Sequence, residues 1–444
     1  MTENVRNTIS QEFPDFVITE ELNNIITTIT DSRENLFITG PAGCGKSTLL
    51  NLINNKKIYN KNTVVLAPTG VSAVNVSGMT IHSFFKFKIG LFTEDELIKK
   101  RVDDDQLELL EKLDTIIIDE ISMVNANMFD SIDIFLRYHL NSDIPFGGKR
   151  IILFGDLFQL PPVITKASNE KKAIENMYGE NNYYFFHSFV YEKANIKVFL
   201  LEKVFRQDNI DFVNLLHRIR KGKQTSMDIR KINCYVINEE KFLDTHDNYV
   251  YIAYTNSIVN QKNQDYLDII PSESKTYTGS YFGKINLKDF ITPLQLELKV
   301  GAQVMVTANN HNEGYFNGMI GEVVELQDDK IIIISKGNRY TITQYTWEKI
   351  EYKIINKSFE KSVVGKYKQF PLKLAFAITA HKCQGLTLDS IYIDTGNGSF
   401  STGQFYVSIS RLRTFEGLGL SKPISAKEVK VDQSVIEYFE KLGI

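Results

Sequence analysis

The sequence predicts an α/β fold made of two parallel-sheet domains, with a small β-rich insertion in the second. In both halves, short apolar runs typical of buried parallel strands alternate with helical stretches and end directly at polar residues. Residues 297–355 interrupt this alternation with short β-type segments separated by glycine or Asp-Asp turns. Polar residues that follow parallel strands share one edge of a sheet, which is where ligands bind in such folds.

The length of 444 residues favours two to four domains over a single compact core. Hydrophobic residues make up 43% of the chain, yet no apolar run approaches the roughly 20 residues of a membrane-spanning helix. Cys44, Cys234 and Cys383 are scattered, without the spacing of a metal site or a disulfide framework. We therefore expect a reducing compartment, which is the cytoplasm of a bacterium or the nucleus or mitochondrion of a eukaryote. We expect no targeting segment and no membrane partner.

The first half contains apolar runs that we expect to form neighbouring parallel strands. They are Leu36–Thr39, Val64–Ala67, Thr115–Ile118 and Arg150–Phe154. Helices are predicted over residues 1–35, 71–76 and about 126–140. Residues 86–112 depart from the alternation, with charged patches and a helical leucine pattern, and we interpret them as a small insertion.

The second half is predicted to start at Val198–Leu201 and to return to the same pattern of strands followed by polar residues. Further strands are expected at Tyr249–Ala253, Leu374–Thr379 and Ser390–Asp394. Between them, the β-rich stretch is expected to form a small antiparallel barrel. Its strands are predicted at Val300–Val306, Gly321–Leu326, Lys330–Ser335 and Arg339–Thr343.

The stretch Gly40–Ser47 reads Gly-Pro-Ala-Gly-Cys-Gly-Lys-Ser and fits the phosphate-loop pattern between a buried strand and a helix. Its glycines let backbone N–H groups face an anion, and the helix N-terminus adds positive potential. Lys46 would contact the β- and γ-phosphates, and the Ser47 hydroxyl would bind Mg²⁺. The sequence therefore predicts a nucleoside triphosphate site. The nucleotide-binding residues expected here are Gly40, Gly43, Cys44, Gly45, Lys46, Ser47 and Thr48.

Two acidic residues and one glutamine follow the later strands of the first half. Asp119 would hold Mg²⁺, and Glu120 would orient or deprotonate the attacking water. Gln159, four residues after Gly155, could sense the γ-phosphate and the water, as a glutamine does in other phosphate-loop enzymes. We expect these three residues to be catalytic.

Two arginines are candidates for stabilising charge on the transferred phosphate. Arg206 is expected near the start of a helix whose apolar residues share one face, and Arg411 lies in Tyr-Val-Ser-Ile-Ser-Arg from Tyr406. An arginine delivered from a separate domain can contribute roughly 10³–10⁵ in rate. Each arginine alone is more often a surface or ion-pair residue than a catalytic one, so this prediction rests on the whole set.

The order of these motifs resembles superfamily 1 helicases, and more narrowly the PIF (petite integration frequency) family of superfamily 1B with its RecD-like relatives. The resemblance covers roughly residues 30–420. It is carried by the phosphate loop, Ala-Pro-Thr-Gly from Ala67, Thr-Ile-His-Ser-Phe from Thr80, Ile-Asp-Glu-Ile-Ser-Met from Ile118, Gly-Asp-Leu-Phe-Gln-Leu-Pro-Pro from Gly155, Phe-Arg-Gln from Phe205, Ala-His-Lys-Cys-Gln-Gly-Leu-Thr from Ala380 and Tyr-Val-Ser-Ile-Ser-Arg from Tyr406.

The resemblance implies an ATP-dependent 5′-to-3′ DNA helicase with two RecA-like domains and ATP in the cleft between them. It implies RecA-like domain 1 at 1–85 and 113–195, a wedge insertion at 86–112, RecA-like domain 2 at 196–296 and 360–444, and an SH3-like insertion at 297–359. Arg206 and Arg411 would act from the second domain, and Gly385 would lie near the γ-phosphate. Such a helicase translocates on single-stranded DNA and unwinds duplex, and its preferred substrate stays open among forks, G-quadruplexes and RNA–DNA hybrids.

The resemblance also implies a path for single-stranded DNA, and we expect a monomer that binds single strands and single-strand/duplex junctions. Because the net charge is −3, binding must depend on a local groove. The residues in the matching motifs are Pro68, Thr69, His82, Phe84, Thr255, Asn256, Thr379, His381 and Lys382. The structural alternatives are core packing for His82 and Phe84 and helix capping for Thr255 and Asn256.

Two positions depart from the family pattern, and three other functions stay open. The stretch Ile18–Asn23 lacks the family's adenine-reading glutamine, and Cys383 stands where a serine or threonine is usual. An RNA-directed superfamily 1 helicase and an ATP-gated clamp on single strands are the rival functions. A third, a phosphate-loop enzyme of small-molecule metabolism, leaves the motifs of the second half without a purpose.

Overall fold

The computed structural model describes residues 18–54, 61–164, 170–207, 209–246, 248–310, 312–396 and 398–444. Its tertiary contacts divide the chain into two units. The first unit holds residues up to Leu157, Pro161–Lys203 and Lys349–Val364. The second unit holds Phe158–Leu160, Val204–Glu348 and Gly365–Ile444.

The first unit is built on a six-stranded sheet with the strand order β3-β2-β4-β5-β1-β6, in which every pairing is parallel. The strands are β1 (Leu36–Thr39), β2 (Thr63–Ala67), β3 (Met79–Thr80), β4 (Thr115–Ile118), β5 (Arg150–Gly155) and β6 (Lys197–Leu200). Strands β1, β4 and β5 are buried along their whole length, as their apolar runs predict.

The helices of the first unit connect these strands. They are α1 (Glu20–Asp31), α2 (Lys46–Asn54), α3 (Gly70–Asn75), α4 (Ile81–Phe84), α5 (Glu94–Ile98), α6 (Asp104–Lys112), α7 (Ala126–His139), α8 (Glu170–Tyr178) and α9 (Phe189–Lys193). The helix predicted over residues 1–35 is observed as α1, and residues 1–17 lie outside the described part. Thr19 caps α1 by accepting a hydrogen bond from the Leu22 N–H.

Strand β6 corrects the predicted start of the second half. Its residues Lys197–Leu200 pair in parallel with Leu36–Thr39 and form the edge of the first sheet. An apolar run of four residues is equally typical of either sheet, so only the pairing assigns it. The other limits of the predicted domains remain predictions.

The stretch 86–112 carries two helices, α5 and α6, and lies in the first unit. Thr93 and Glu96 form a capping box at the start of α5. The Asn127 side chain of α7 exchanges two hydrogen bonds of 2.9 Å with the backbone of Phe92. The insertion is therefore held to α7 by directional bonds as well as by packing.

The second unit contains a four-stranded parallel sheet in the order β18-β7-β19-β20. The strands are β7 (Val250–Ala253), β18 (Ala377–Thr379), β19 (Ile391–Asp394) and β20 (Leu418–Leu420). The helices are α10 (Ile210–Arg220), α11 (Ser226–Asn233), α12 (Glu239–Leu243), α13 (Asn256–Ile269), α14 (Gln404–Ile409) and α15 (Gln433–Lys441). The single strand expected at Leu374–Thr379 is divided, and only its second part joins this sheet.

The β-rich stretch forms a five-stranded antiparallel sheet in the order β14-β13-β12-β11-β17, with a separate two-stranded sheet of β10 and β8. The strands are β8 (Ser274–Thr278), β10 (Gln295–Lys299), β11 (Gln303–Val306), β12 (Ile320–Leu326), β13 (Lys330–Ser335), β14 (Asn338–Thr343) and β17 (Leu372–Leu374). The predicted strands are present, and the β-structure extends beyond them at both ends.

A long hairpin of β15 (Tyr345–Ile355) and β16 (Ser358–Gln369), flanked by β9 (Ser280–Gly283), was not expected from the sequence. In the second unit, Trp347 of β15 stacks on Tyr367 with ring centroids 5.5 Å apart. In the first unit, the buried Tyr352 hydroxyl accepts a 3.0 Å hydrogen bond from the Val65 N–H of β2. Trp347 and Tyr352 are five residues apart, so β15 buries opposite sides at its two ends.

No helix in the described ranges has both the length and the apolar character needed to cross a membrane.

Candidate active site

The phosphate loop lies at the carboxyl end of β1, where the chain turns into α2. Gly43 and Gly45 have φ angles of 81° and 92°, in the left-handed region that favours glycine. A Cβ added to Gly40 would lie 2.4 Å from the Leu201 carbonyl oxygen, so this position has no room for a side chain. The Lys46 Nζ donates to the carbonyl oxygens of Gly40 (2.7 Å) and Pro41 (2.9 Å).

The other predicted residues of the loop surround this cradle. Ser47, in the first turn of α2, is exposed, and Thr48 is partly buried. Cys44 is buried, and its Sγ accepts a 3.4 Å hydrogen bond from the Lys46 Nζ. The loop thus presents the Lys46 ammonium group, the exposed Ser47 hydroxyl and a helix N-terminus, which together suit a polyphosphate.

The two acidic residues follow β4 at the same edge of the sheet. The Asp119 N–H donates a 2.9 Å hydrogen bond to the Leu66 carbonyl. Burial raises the pKa of Asp119 to about 6, against the opposing effects of the Glu120 backbone N–H and the Lys46 charge. Glu120 has a φ of 49°, an unusual conformation for a residue other than glycine. Strained backbone of this kind is concentrated at functional sites.

These residues fit Mg²⁺ and a nucleoside triphosphate. Mg²⁺ in such sites is held by one or two protein oxygens together with phosphates and water, and Ser47 and Asp119 provide that number. The Lys46 ammonium lies at the same loop, held by the carbonyl oxygens of Gly40 and Pro41. The chemistry of these residues in the first unit therefore fits a metal–nucleotide complex.

Arg206 and Arg411 lie together in the second unit, around the loop that contains Gly385. Arg206 donates to the carbonyl oxygens of Ser410 (3.0 Å) and Gly385 (3.4 Å). Burial and then the Arg411 charge lower the pKa of Arg206 to about 9, which leaves it protonated at pH 7. Helix α10 begins only at Ile210, so Arg206 precedes the helix near whose start it was predicted.

Arg411 is almost completely buried, at 1% exposure, and its guanidinium is used within the fold. It donates to the Val407 carbonyl and to the Ser410 hydroxyl, both at 2.8 Å. It also reaches the carbonyl oxygens of Cys383 and Leu386 at 3.5 and 3.4 Å. Arg411 thus supports the loop around Gly385, whose φ of 81° requires the left-handed conformation.

Among the described residues, no ion pair with a carboxylate involves either arginine. Two adjacent guanidinium groups with acceptors that are only backbone and hydroxyl oxygens form a centre of positive charge. Such a centre is suited to an anion.

The predicted DNA contacts of the first unit differ in exposure. Thr69 caps α3 by accepting a 3.2 Å hydrogen bond from the Ser72 N–H, next to the partly buried Pro68. His82 is partly buried, and burial lowers its pKa. Phe84 is 5% exposed and packs edge-on against Phe85, with ring centroids 4.9 Å apart. Phe84 therefore has the packing role that its structural alternative describes, with no ring face open to a base.

The predicted contacts of the second unit follow the strands of its parallel sheet. Thr255 and Asn256 are exposed after β7, and the Thr255 side chain makes no capping hydrogen bond although it precedes α13. Thr379 is buried at the end of β18, and its hydroxyl oxygen accepts from the Lys382 N–H at 3.3 Å. Burial lowers the pKa of His381, and Lys382 is exposed.

A family model described as PIF1-like helicase matches residues 17–230. The ATP-dependent DNA helicase Pif1 of Campylobacter jejuni is 31% identical over 443 residues, covering 92% of this chain and 95% of the relative. The chain belongs to the Pif1 helicase family. This confirms the family and the α/β fold that the motifs predict.

Solved Pif1 structures agree with this assignment. The crystal structure of Bacteroides sp Pif1 in complex with ADP-AlF4 is 35% identical, with a TM-score of 0.88 and coverage of 97% of this chain and 98% of that one. A structure described as DNA unwinding at forked double-stranded DNA by two coordinating Pif1 helicases is also 35% identical. Its TM-score is 0.66, and it covers 96% of this chain and 97% of that one.

Two polar residues of this Pif1 family member were missed by the sequence reasoning. Gln384 donates a 3.1 Å hydrogen bond from Nε2 to the Oε1 of Gln159, which is itself 7% exposed. The signal for Gln384 was its place directly before Gly385 in a recognised motif. Lys373 of β17 is 9% exposed, and burial together with the nearby Lys382 charge lowers its pKa to about 8. In the sequence Lys373 lies between apolar residues, so no motif indicated it as a functional residue.

Proposed function

We propose that this protein is an ATP-dependent DNA helicase that moves 5′ to 3′ on single-stranded DNA and unwinds duplex. The observation that carries the proposal is the set formed by Lys46, Asp119 and Glu120 at one edge of the first sheet. Membership of the Pif1 family supports it. The Campylobacter jejuni relative is named as an ATP-dependent DNA helicase.

In the proposed reaction, the phosphate loop binds the triphosphate and Lys46 neutralises charge on its outer phosphates. Ser47 and Asp119 would hold Mg²⁺, which supplies further neutralisation of the phosphate oxygens. The Glu120 carboxylate accepts a proton from the attacking water, for which general-base catalysis is typically worth 10²–10⁴ in rate. Gln159 would orient the same water, and Arg206 would stabilise the charge that develops on the γ-phosphate. Arg411 would act indirectly, because its buried guanidinium supports the loop that contains Gly385.

Unwinding requires that hydrolysis is coupled to movement along the strand. Stacking in duplex DNA is worth about 1.4 kcal/mol per base-pair step, so one ATP for each base pair is sufficient. The strand contacts proposed for this role are those left exposed or partly buried, which are Pro68, Thr69, His82, Thr255, Asn256, His381 and Lys382.

The experiment that tests this function is strand displacement with ATP on two duplexes that differ only in the polarity of a single-stranded tail. We expect unwinding from the 5′ tail alone and loss of unwinding in Lys46→Ala. Unwinding from the 3′ tail alone would contradict the direction. DNA-stimulated ATP hydrolysis without displacement would favour an ATP-gated clamp, and preference for RNA strands would favour an RNA-directed helicase.

We further propose that one chain is sufficient for activity, because both groups of catalytic residues belong to the same polypeptide. Mixing active chains with an excess of Lys46→Ala at a constant concentration of active protein tests this point. Unchanged unwinding per active chain, with DNA in excess, supports a monomer. A decrease that exceeds simple competition would show that two copies cooperate at one junction.

A further inference from the structure

A cavity of about 230 Å³ lies in the first unit, at the amino ends of its parallel strands. Asn35 and Ala194, which line it, come shortly before β1 and β6, and Arg150 is the first residue of β5. Gly40 of the phosphate loop follows the other end of β1, about 16 Å away at the rise of an extended strand. The cavity is therefore separate from the proposed nucleotide site. We call it the amino-end cavity.

The side chains that line the amino-end cavity include four cations and no carboxylate, in a chain whose net charge is −3. The cations are Arg33, Lys149, Arg150 and Lys193. Arg33 pairs with Asp114 at 2.7 Å, whereas neither lysine forms an ion pair with a carboxylate of the described residues. Like charges gathered in this way are suited to an anion that accepts hydrogen bonds from them.

The position of Lys149 shows that part of this charge is removed from water. Its Nζ donates a 2.9 Å hydrogen bond to the Glu111 carbonyl oxygen. Burial lowers the pKa of Lys149, and the charges of Asp114 and Glu111 oppose that effect only in part. A carboxylate bound in the cavity would stabilise the charged lysine and reduce its repulsion from Arg33.

Hydrogen bonds hold the walls of the cavity in place. The Asn35 side chain donates to the Ala194 carbonyl and accepts from the Ile151 N–H, both at 2.8 Å. Arg150 is only 2% exposed, and its guanidinium donates to the Ile29 carbonyl at 2.7 Å. A ligand would therefore bind without first ordering these walls, which favours affinity.

Exposed apolar side chains adjoin the cations. Ile144 and Pro145 line the cavity, and Ile144 is 63% exposed. Phe189, also 63% exposed, lies four residues before Lys193 on α9, so the two share one face of that helix. Apolar surface beside fixed cations fits a peptide that carries both acidic and apolar side chains. It fits a nucleic-acid strand less well, because strand binding uses an extended cationic groove with aromatic rings along it.

We propose that the amino-end cavity binds an acidic peptide segment of a partner protein. Its carboxylates contact Lys149 and Lys193, and an apolar side chain of the peptide packs on Ile144. The inference is independent of the proposed helicase activity, since the cavity contains none of the motif residues. A partner bound here leaves the nucleotide site at the opposite edge of the sheet open.

The test measures binding of two fluorescein-labelled peptides of equal length to the full chain by fluorescence anisotropy. One peptide repeats Glu-Asp-Leu and the other repeats Gln-Asn-Leu. The acidic peptide should bind with a Kd on the order of 100 μM or tighter, and the neutral peptide at least about tenfold more weakly. Lys193→Gln should weaken binding of the acidic peptide about tenfold, which corresponds to about 1.4 kcal/mol, because a charge-assisted hydrogen bond is lost.

Matched variants remove the same groups elsewhere. Ile144→Ser should weaken binding of the acidic peptide by about threefold or more, because it removes apolar contact area. Ile269→Ser removes an isoleucine that is 77% exposed in the second unit, and Lys427→Gln removes an exposed lysine there. Both should bind the acidic peptide like the wild type. Equal losses in these two controls would overturn the proposal, since the effect would then be a general one of charge or hydrophobicity.

Carbodiimide crosslinking gives an independent readout, because it joins a carboxylate to an amine that it contacts. Mass spectrometry should locate the acidic peptide on Lys149 or Lys193 of the wild type. Lys193→Gln should keep its DNA-stimulated ATP hydrolysis, which separates a failure of this cavity from a failure of the proposed function.

Three results would overturn the proposal. The first is a wild type that does not bind the acidic peptide or is crosslinked to it only at other lysines. The second is displacement of the peptide by inorganic phosphate at the same concentration, which would show a general anion site. The third is displacement by oligo(dT) together with weaker oligo(dT) binding in Lys193→Gln, which would make the cavity a nucleic-acid contact.

Discussion

The Gln384 side chain donates a 3.1 Å hydrogen bond to the Gln159 side chain, which joins two motifs separated by 225 positions in the chain. Gln159 is the residue expected to orient the attacking water. Its amide is therefore held by a partner that directly precedes Gly385, the residue expected near the γ-phosphate. We infer that the two glutamines act together in positioning the attacking water.

A double-mutant cycle tests this inference. We expect Gln159→Ala to lower kcat for ATP hydrolysis on the order of 10- to 100-fold, as misplacement of a catalytic group does. Gln384→Ala should reproduce part of that loss. The effects of substituting residues that act together are not additive, so the double variant should have the same kcat as Gln159→Ala alone. Losses that multiply would show that the residues act independently.

Asp119→Asn should stabilise the nucleotide-free protein while abolishing hydrolysis. The raised pKa of Asp119 means that its contribution to stability is fully present below the unfolded value of 3.8 and is lost as pH rises through about 6. The neutral asparagine avoids that loss. The increase in Tm over wild type should therefore be largest above about pH 6 and should shrink toward pH 4.

Thermal unfolding at several pH values without Mg²⁺ measures this effect. The variant Asp211→Asn is the control, because Asp211 is an exposed carboxylate in the first turn of α10. A Tm increase for Asp119→Asn that is the same at pH 4 and pH 7 would contradict the assignment of the effect to this carboxylate.

The two arginines should respond differently to removal. Arg206→Ala should lower kcat by roughly 10³ or more, as loss of such an arginine does in related chemistry, with a small change in Tm. Arg411→Ala should lower both kcat and Tm, because it removes a buried guanidinium and leaves its backbone acceptors without a donor. Each such unsatisfied group costs about 1–3 kcal/mol.

Tm and single-turnover hydrolysis separate the two roles. Arg411→Lys keeps the charge but cannot supply the same set of hydrogen bonds, so its Tm should remain low. If Arg206→Ala unfolds at a lower temperature than Arg411→Ala, the roles assigned here are reversed.

Tyr352→Phe should destabilise the first unit. The Tyr352 hydroxyl accepts from the Val65 N–H inside the protein, and its loss leaves a buried donor without a partner, at a cost of about 1–3 kcal/mol. Denaturant unfolding measures the loss. Tyr138→Phe is the control, since Tyr138 is 52% exposed and water can replace its hydroxyl contacts. Equal stability of the two variants would contradict the anchoring role of Tyr352.

The nucleotide-binding half of the site was readable in the sequence because its groups follow one another along short stretches. Gly40–Ser47 must turn tightly between a buried strand and a helix, and only glycine adopts the φ angles found at Gly43 and Gly45 without strain. Asp119 and Glu120 follow an apolar strand, and parallel pairing necessarily brings that strand end to the same edge. Local spacing was enough in these cases.

The remaining features depend on partners that are remote in the chain. A four-residue apolar run does not state which sheet it joins, so β6 was assigned only by its pairing with β1. Phe84 was a candidate for stacking on a base, and its contact with Phe85 shows that it packs inside the fold. Arg411 was a candidate cation for the transferred phosphate, and its burial shows that its guanidinium is used within the fold. Alternation predicts which residues can be buried. Contacts between distant segments determine which of them are buried, and the apolar Phe282, which stays 81% exposed, is the clearest example.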